Sequence, residues 1–294
     1  MTVESLTWDI GAIRVTRVVE SIAAVPPSLL LKTATADGLA AHASWLRPDF
    51  VDDAGNLLLS IHAFAVQTPT HKVVIDTCVG TAPMPPGWDF MRAEKPFLDD
   101  LAAAGFPADD VDYVICTHMH YDHVGWNVSV VDGEAVPTFA NARYVFCRDE
   151  WEHASTSVNE LAVRTLAECV RPIIDAGLAD VVAPGHAVTA GVRLELAPGH
   201  TPGHVIVHLE SGESHGFVTG DLTHSPIQWT FPEWPGPDVD PELASATRRE
   251  LLARYADTPT LVLGTHYPSP SGGHLVSDGD GHRFRPVAAR SPAR

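Results

Sequence analysis

A layered α/β domain is the fold class that this 294-residue sequence predicts. Strand-like and helix-like segments alternate along the whole length, and no short repeat or low-complexity tract interrupts them. The segments rich in chemistry come from both halves of the chain, which favours one layered domain over two independent modules.

Residues 12–19, 57–67 and 72–76 read as strands, each rich in β-branched or aliphatic side chains. Between the first two, residues 24–56 mix helical and loop character. Residues 80–90 hold too much Pro and Gly for regular structure and read as a loop. A helix is expected over 95–104, ended by Gly105, and a short apolar strand over 111–116. Residues 151–170 form the longest helical pattern before Pro172. Strands follow at 192–197, 205–209, 217–219 and 261–263. Residues 224–240 form a loop with four prolines and two tryptophans, after which Asp240 caps a helix that starts at Pro241 and runs to about Tyr255. Residues 1–281 are thus expected to form a single domain, and 282–294, with four arginines and no acid, a fraying tail.

Hydrophobic residues make up 45% of the chain, so a large core is affordable and disorder is not expected. Against 19 Lys and Arg stand 37 Asp and Glu, a formal charge of −18. Such a surface repels phosphate backbones and anionic membranes, which argues against nucleic-acid or membrane partners. No apolar run reaches the ~18 residues of a membrane span, and the first residues lack a secretory leader, so a cytoplasmic protein is expected. Cys78, Cys116, Cys147 and Cys169 form no CxxC pair and read as free structural thiols.

The 16 histidines carry the chemistry. Residues 117–123, Thr-His-Met-His-Tyr-Asp-His, place His118, His120, Asp122 and His123 within six residues. On a helix His118 and His120 would point about 200° apart, and on a strand His123 would face away from the other three. Neither regular element converges all four, so the segment must be a loop at a strand end. There the two leading histidines can hold one metal ion while Asp122 and His123 turn to a second. Imidazole with carboxylate suits Zn²⁺, and also Fe or Mn. Three further segments share one form, an apolar run, a Gly-containing turn and then a ligand: they end at His200, Asp221 and His266. Ligands just after strands gather at one sheet edge. The total is enough for two cations sharing one carboxylate, each with a position open to water or substrate.

HxHxDH, PGHTPGH, GD and GTH in this order resemble the metallo-β-lactamase superfamily, over residues 57–273. The resemblance implies a four-layer αββα sandwich with a binuclear site at one edge. Carried over by motif, His118, His120 and His200 would bind the first metal, Asp122, His123 and His266 the second, and Asp221 would bridge both. Asp76, closing the apolar run KVVID, matches the family's aspartate that orients the ligand loop. Pro-Gly-His occurs three times, ending at His186, His200 and His204, and spacing alone does not choose among them; the family pattern selects His200. His204 and His208 then read as packed or supporting histidines.

Two divalent cations lower the pKa of a bound water enough to supply hydroxide at neutral pH, so hydrolysis by a metal-bridging hydroxide is expected, with Asp122 shuttling the proton to the leaving oxygen. No GxSxG elbow offers a rival nucleophile. Aromatics in the loops, Trp88, Phe90, Trp229, Phe231 and Trp234, with Trp126 after the ligand loop, suggest an apolar pocket beside the metals. His224 stands about where the superfamily's acyl-homoserine lactonases carry a tyrosine, as a substrate-side donor or a loop cap. His274, in PSPSGGH, resembles the tail motif of the lactonase and organophosphate-hydrolase branch and is expected beside the site. The substrate class this implies is a small lactone or carboxylester, or a phosphotriester, with an apolar arm.

Within the same fold, a glutathione thioesterase would need a basic patch that Lys32, Lys72 and Lys95 hardly supply, and a persulfide dioxygenase would use one iron and part of the ligand set. Flavin-linked di-iron members carry an acid where His120 stands. A non-enzymatic metalloprotein would have lost ligands, whereas all seven are here. Relatives of this kind are often homodimers, the alternative to a monomer.

Overall fold

The computed structural model describes residues 6–92 and 97–290. Strands β1 (Leu6–Ile10), β2 (Ile13–Val25), β3 (Leu57–Gln67) and β4 (Lys72–Ile75) pair antiparallel in turn. The 24–56 stretch contributes three short helices, α1 (Pro27–Leu30), α2 (Ala36–Ala41) and α3 (Ala43–Leu46). Helix α4 (Phe97–Ala103) precedes β5 (Tyr113–Cys116); the expected helix start at Lys95 lies outside the described residues. After β5 come a single helical turn, α5 (Tyr121–Val124), and the hairpin β6 (Val128–Val131) and β7 (Glu134–Pro137). Strand β8 (Arg143–Cys147) then adds to β5 in parallel.

The single helix expected over 151–170 is instead broken. Helix α6 (Arg148–Ser155) ends before a turn, and Asn159 starts α7 (Glu160–Thr165) by accepting the Ala162 N–H at 3.1 Å. A fresh N-cap inside the run is what divides it. The chain then passes through a π turn, Leu166–Val170, into α8 (Arg171–Asp175), which tolerates Pro172 because its first turn needs no N–H there. Strand β9 (Ala179–Val182) completes a seven-stranded sheet of order β1-β2-β3-β4-β5-β8-β9.

A second seven-stranded sheet runs in chain order through β10 (Ala187–Thr189), β11 (Val192–Leu196), β12 (Val205–Ser211), β13 (Ser214–Val218), β14 (Leu261–Leu263), β15 (Gly272–Asp278) and β16 (Gly281–Pro286). Helix α9 (Pro241–Tyr255) lies between β13 and β14 in sequence; as expected, Asp240 caps it, accepting the Leu243 N–H at 2.9 Å. Residues from 282, expected to fray, are ordered as far as they are described. They pair with β15, Phe284 is buried against Phe50 and Tyr267, and Arg290 exchanges two backbone hydrogen bonds with Thr7. The alternation around Phe284 makes this an edge strand with one buried face. Residues 291–294 lie outside the described part.

The period of two sorts the side chains into layers. Val73, Ile75, Ile115 and Val145 of the first sheet share one buried cluster with Leu194, Val205, Val207 and Val218 of the second. Their neighbours Val74, Val114 and Tyr144, and Ile206, Phe217 and Val262, turn to the opposite faces and join a second cluster with Leu251 and Leu252 of α9. Two sheets face each other and helices cover their outer faces, the expected αββα sandwich. Among the described residues no helix is long and apolar enough to cross a membrane.

Candidate metal centre and its cavity

Strands β4 and β5 run parallel and end together, and the chain turns sharply at both ends. Asp76 follows β4 with φ of 58°, a conformation that Asp tolerates better than most residues. That turn brings its carboxylate back to the loop after β5: Oδ1 accepts the Thr117 N–H at 2.8 Å and Oδ2 the Thr117 hydroxyl at 2.9 Å. His118 and His120 lie in this extended loop, and Asp122 and His123 in the one-turn helix α5. The change of backbone is what allows all four to converge.

His200 arrives from the turn between β11 and β12, Asp221 from a turn after β13, and His266 from just beyond β14. His118 Nε2, His120 Nδ1 and His200 Nε2 lie 3.0–3.2 Å from one another. Asp221 divides its carboxylate. Oδ2 is 3.3 Å from His200 Nε2 and 3.7 Å from His118 Nε2, while Oδ1 is 2.8 Å from His266 Nε2 and 3.1 Å from His123 Nε2. Asp122 stands 3.7 and 3.8 Å from the same nitrogens of His123 and His266.

The outer edges of these rings are held. His123 Nδ1 lies 2.9 Å from Asp76, His118 Nδ1 3.1 Å from the Thr117 hydroxyl, His266 Nδ1 donates to the Ser60 carbonyl at 3.0 Å, and His200 Nδ1 lies 3.3 Å from Asp238. Burial lowers the pKa of His118 and His120 well below that of free imidazole. Burial also opposes protonation of His123 and His266, but the carboxylates of Asp221 and Asp122 outweigh it and raise both.

Some inward-facing atoms lack partners. His123 Nε2 and Asp221 Oδ1 are buried without a hydrogen bond of good geometry, and the inward ring nitrogens of His118, His120 and His200 have mainly one another to face. Buried unsatisfied donors of this chemistry fit divalent cations, in two groups: His118, His120, His200 and Asp221, and Asp122, His123 and His266.

The centre forms one wall of a cavity of about 530 Å³. Leu30, Leu59, Ile61, Trp88, Met91 and Met119 also line it, and none of the described lining residues is Lys or Arg. The apolar pocket is present, but several expected residues do not build it. Trp229 is fully buried in the core, because a 3₁₀ turn, Pro226–Trp229, held at its start by Gln228 Oε1 accepting the His224 and Ser225 N–H groups, points it inward. Trp234 stacks on Phe231 at 4.2 Å, and Trp126 stacks on Phe97 and donates its indole N–H to Glu20 at 2.7 Å. His274 sits on β15 with Nδ1 bonded to the Thr260 carbonyl, and it lines a different hollow. His224 does reach the cavity, with Nε2 3.1 Å from Asp221 Oδ2 and its ring stacked parallel to His266.

Three supports were not visible in the sequence. Glu150 joins two ligand loops, accepting the Met119 N–H at 2.9 Å and the Thr201 hydroxyl at 2.6 Å. Glu20 accepts the N–H groups of Val79 and Gly80 under the cavity floor. Asp238 faces His200; burial opposes its charge, but His200 and Arg248 bring its pKa down to about 2. His204, expected to be a supporting residue, accepts the Asp221 N–H at 2.9 Å and is pushed down to about 3 by burial. Gly220 allows this approach, since a Cβ there would stand 2.3 Å from His204 Nε2.

A model of the metallo-beta-lactamase superfamily matches residues 57–266, a stretch that contains every member of the cluster. The chain belongs to the metallo-beta-lactamase superfamily. Within it, an N-acyl homoserine lactonase of Bacillus thuringiensis is 29% identical over 162 residues, 55% of this chain and 58% of that relative. This chain therefore spans little more than half the length of that lactonase. Among solved structures, the hydrolase AbOPH of the beta lactamase superfamily aligns with a TM-score of 0.81 at 24% identity, over 99% of both chains. AidC, a dizinc quorum-quenching lactonase in complex with a product, aligns with a TM-score of 0.79 at 21% identity, over 97% of this chain and 98% of its own. These two likenesses bear on the fold.

Proposed function

We propose that this protein is a metal-dependent hydrolase that opens an uncharged lactone or cleaves a carboxylester with an apolar arm. One observation carries the reading: Asp221 shares its two carboxylate oxygens between two imidazole groups on the wall of a largely apolar cavity. His118, His120 and His200 would hold one cation, Asp122, His123 and His266 the other, and Asp221 both. The donor set suits Zn²⁺, with Fe or Mn as alternatives. The lactonase relatives and the dizinc neighbour support the same assignment.

Two such ions, when bound, supply a nucleophile from water at neutral pH and polarise the bond to be cleaved. The protein supplies position and protons. Asp122 is the more exposed aspartate, 13% against 4% for Asp221, so its carboxylate is the one placed to carry a proton to the leaving oxygen. Burial lowers the pKa of His224, and the one N–H of its neutral imidazole is placed on the shared carboxylate, with Nε2 3.1 Å from Asp221 Oδ2, so that His224 helps to hold Asp221 on the cavity wall. The apolar wall would take the arm, and a lining without Lys or Arg disfavours anionic glutathione thioesters.

The test is metal analysis of the purified protein followed by a panel of N-acyl lactones, aryl esters, a glutathione thioester, nitrocefin and a phosphotriester. The reading expects two equivalents of divalent metal and fastest turnover of lactone or aryl ester. One equivalent of iron, or turnover confined to the thioester, would overturn it.

A further inference from the structure

We infer that Asp238 is the positioning residue for His200, fixing its tautomer and aim, and that the buried Arg248 locks Asp238 in that place. The inference rests on the two-metal reading above. His200 is fully buried and presents Nε2 to His118, His120 and Asp221. An imidazole that offers a lone pair at Nε2 must carry its proton at Nδ1, so something must accept that proton's hydrogen bond. The facing group is the Asp238 carboxylate, with Oδ1 3.3 Å from His200 Nδ1.

Asp238 is itself held from two sides. Its Oδ2 accepts from Arg248 Nη2 at 2.7 Å and from the Gly236 N–H at 3.1 Å. Neither the Asp238 nor the Arg248 side chain is exposed to solvent. Arg248 spends its other donors on the segment that joins Asp221 to Asp238: Nε donates to the Leu222 carbonyl at 2.7 Å, and Nη1 to the carbonyls of Pro232 at 2.8 Å and Trp234 at 3.3 Å. One guanidinium on α9 thus ties down both ends of the loop that begins at the shared carboxylate.

The turn bearing His200 is latched to the same region. Val239 N–H donates to the His200 carbonyl, Asp240 N–H to that of Gly199, and the Thr247 hydroxyl to that of Pro198. This repeats, on the other imidazole group, what Asp76 does for His123, with Arg248 in the supporting place that Thr117 fills there.

The experiment compares Asp238→Asn with Asp76→Asn, two changes that keep shape and remove charge. Affinities for each of two zinc ions are measured by competition with a chromophoric chelator, on protein whose fold is checked by circular dichroism. Asp238→Asn is expected to weaken one ion by about 10–100-fold and leave the other nearly unchanged. Equal weakening of both ions, or of neither, would overturn the inference. A second measurement needs no variant: long-range ¹H–¹⁵N NMR of metal-free wild-type protein, with the His200 ring assigned through its own backbone resonances. It is expected to show the proton on Nδ1, and a proton on Nε2 would contradict the assignment. Binding of a single ion by the wild type would sink the two-metal reading while leaving the tautomer measurement decisive for Asp238.

Discussion

Besides the centre, a second group of histidines lies on the second sheet, and hydrogen bonding separates the two. There His208 Nε2 meets Glu195 at 2.9 Å, His208 Nδ1 meets His215 Nε2 at 2.8 Å, and His215 Nδ1 meets the Thr260 hydroxyl at 3.1 Å. Every ring nitrogen has a partner. The neighbouring carboxylates are engaged too, Glu195 by Arg254 and Glu210 by Arg193 at 3.0 Å. The centre around Asp221 shows the opposite condition, with nitrogens crowded together, orphaned atoms and, among the described residues, no Arg ion-paired with Asp122 or Asp221. Both groups bring ligand-type atoms within range of a single ion. Of the two, only the Asp221 centre leaves buried ring and carboxylate atoms without a hydrogen bond, and that, more than histidine count, makes it the candidate metal site.

The largest effect that would sharpen this contrast is expected from Asp221→Ala. Loss of the shared carboxylate should release metal and lower kcat/KM by on the order of 10³-fold or more, whereas His215→Gln should leave metal content at the wild-type value. Elemental analysis beside a lactonase assay reads both, and metal loss in His215→Gln would erase the distinction. Next in size is the difference between two tryptophans. Trp229→Ala should cost about 3–5 kcal/mol of stability with the chain-length preference unchanged, because that ring is core. Trp88→Ala should instead raise KM about tenfold for long-armed substrates alone, having removed roughly 1–2 kcal/mol of apolar contact. Denaturation midpoints and KM across a series of acyl lengths check the pair.

The smallest effect concerns pH. Burial lowers the pKa of His215, with His208, Arg193 and Arg254 adding to that direction and Glu210 opposing it. The unfolded chain therefore binds this proton more readily, and the associated stability, present above the ordinary imidazole pKa of about 6.5, is lost as pH falls below it. His215→Gln should flatten that part of the Tm profile between about pH 7 and 5. An unchanged slope would show that the outer cluster titrates as it does in the unfolded state.

His118, Asp221 and His266 were legible because each follows an apolar strand through a short turn, which brings them to one edge. His200 and Asp76 were legible only through the family's motif order; for His200, spacing did not choose among three Pro-Gly-His. Glu20, Glu150 and Asp238 were not, since single carboxylates in a chain with 37 acids carry no spacing signal, and each acts through a backbone N–H or a ring edge that only the folded chain brings near. The aromatic loops misled because composition does not say which way a ring turns: the 3₁₀ turn that buries Trp229 and the pairing of β15 with β14 that carries His274 to Thr260 depend on local register. The break in α6–α8 escaped for a similar reason, as Asn159 reads as a helix surface residue until its side chain is seen to cap.

The most direct test of the account is a crystal of the purified protein, with anomalous diffraction recorded at the absorption edge of whichever metal elemental analysis finds. Two peaks flanking the Asp221 carboxylate, within the His118–His120–His200 and Asp122–His123–His266 groups, and none at His208 and His215, are the expected result. A single peak, or density between His208 and His215 with the Asp221 centre empty, would contradict it.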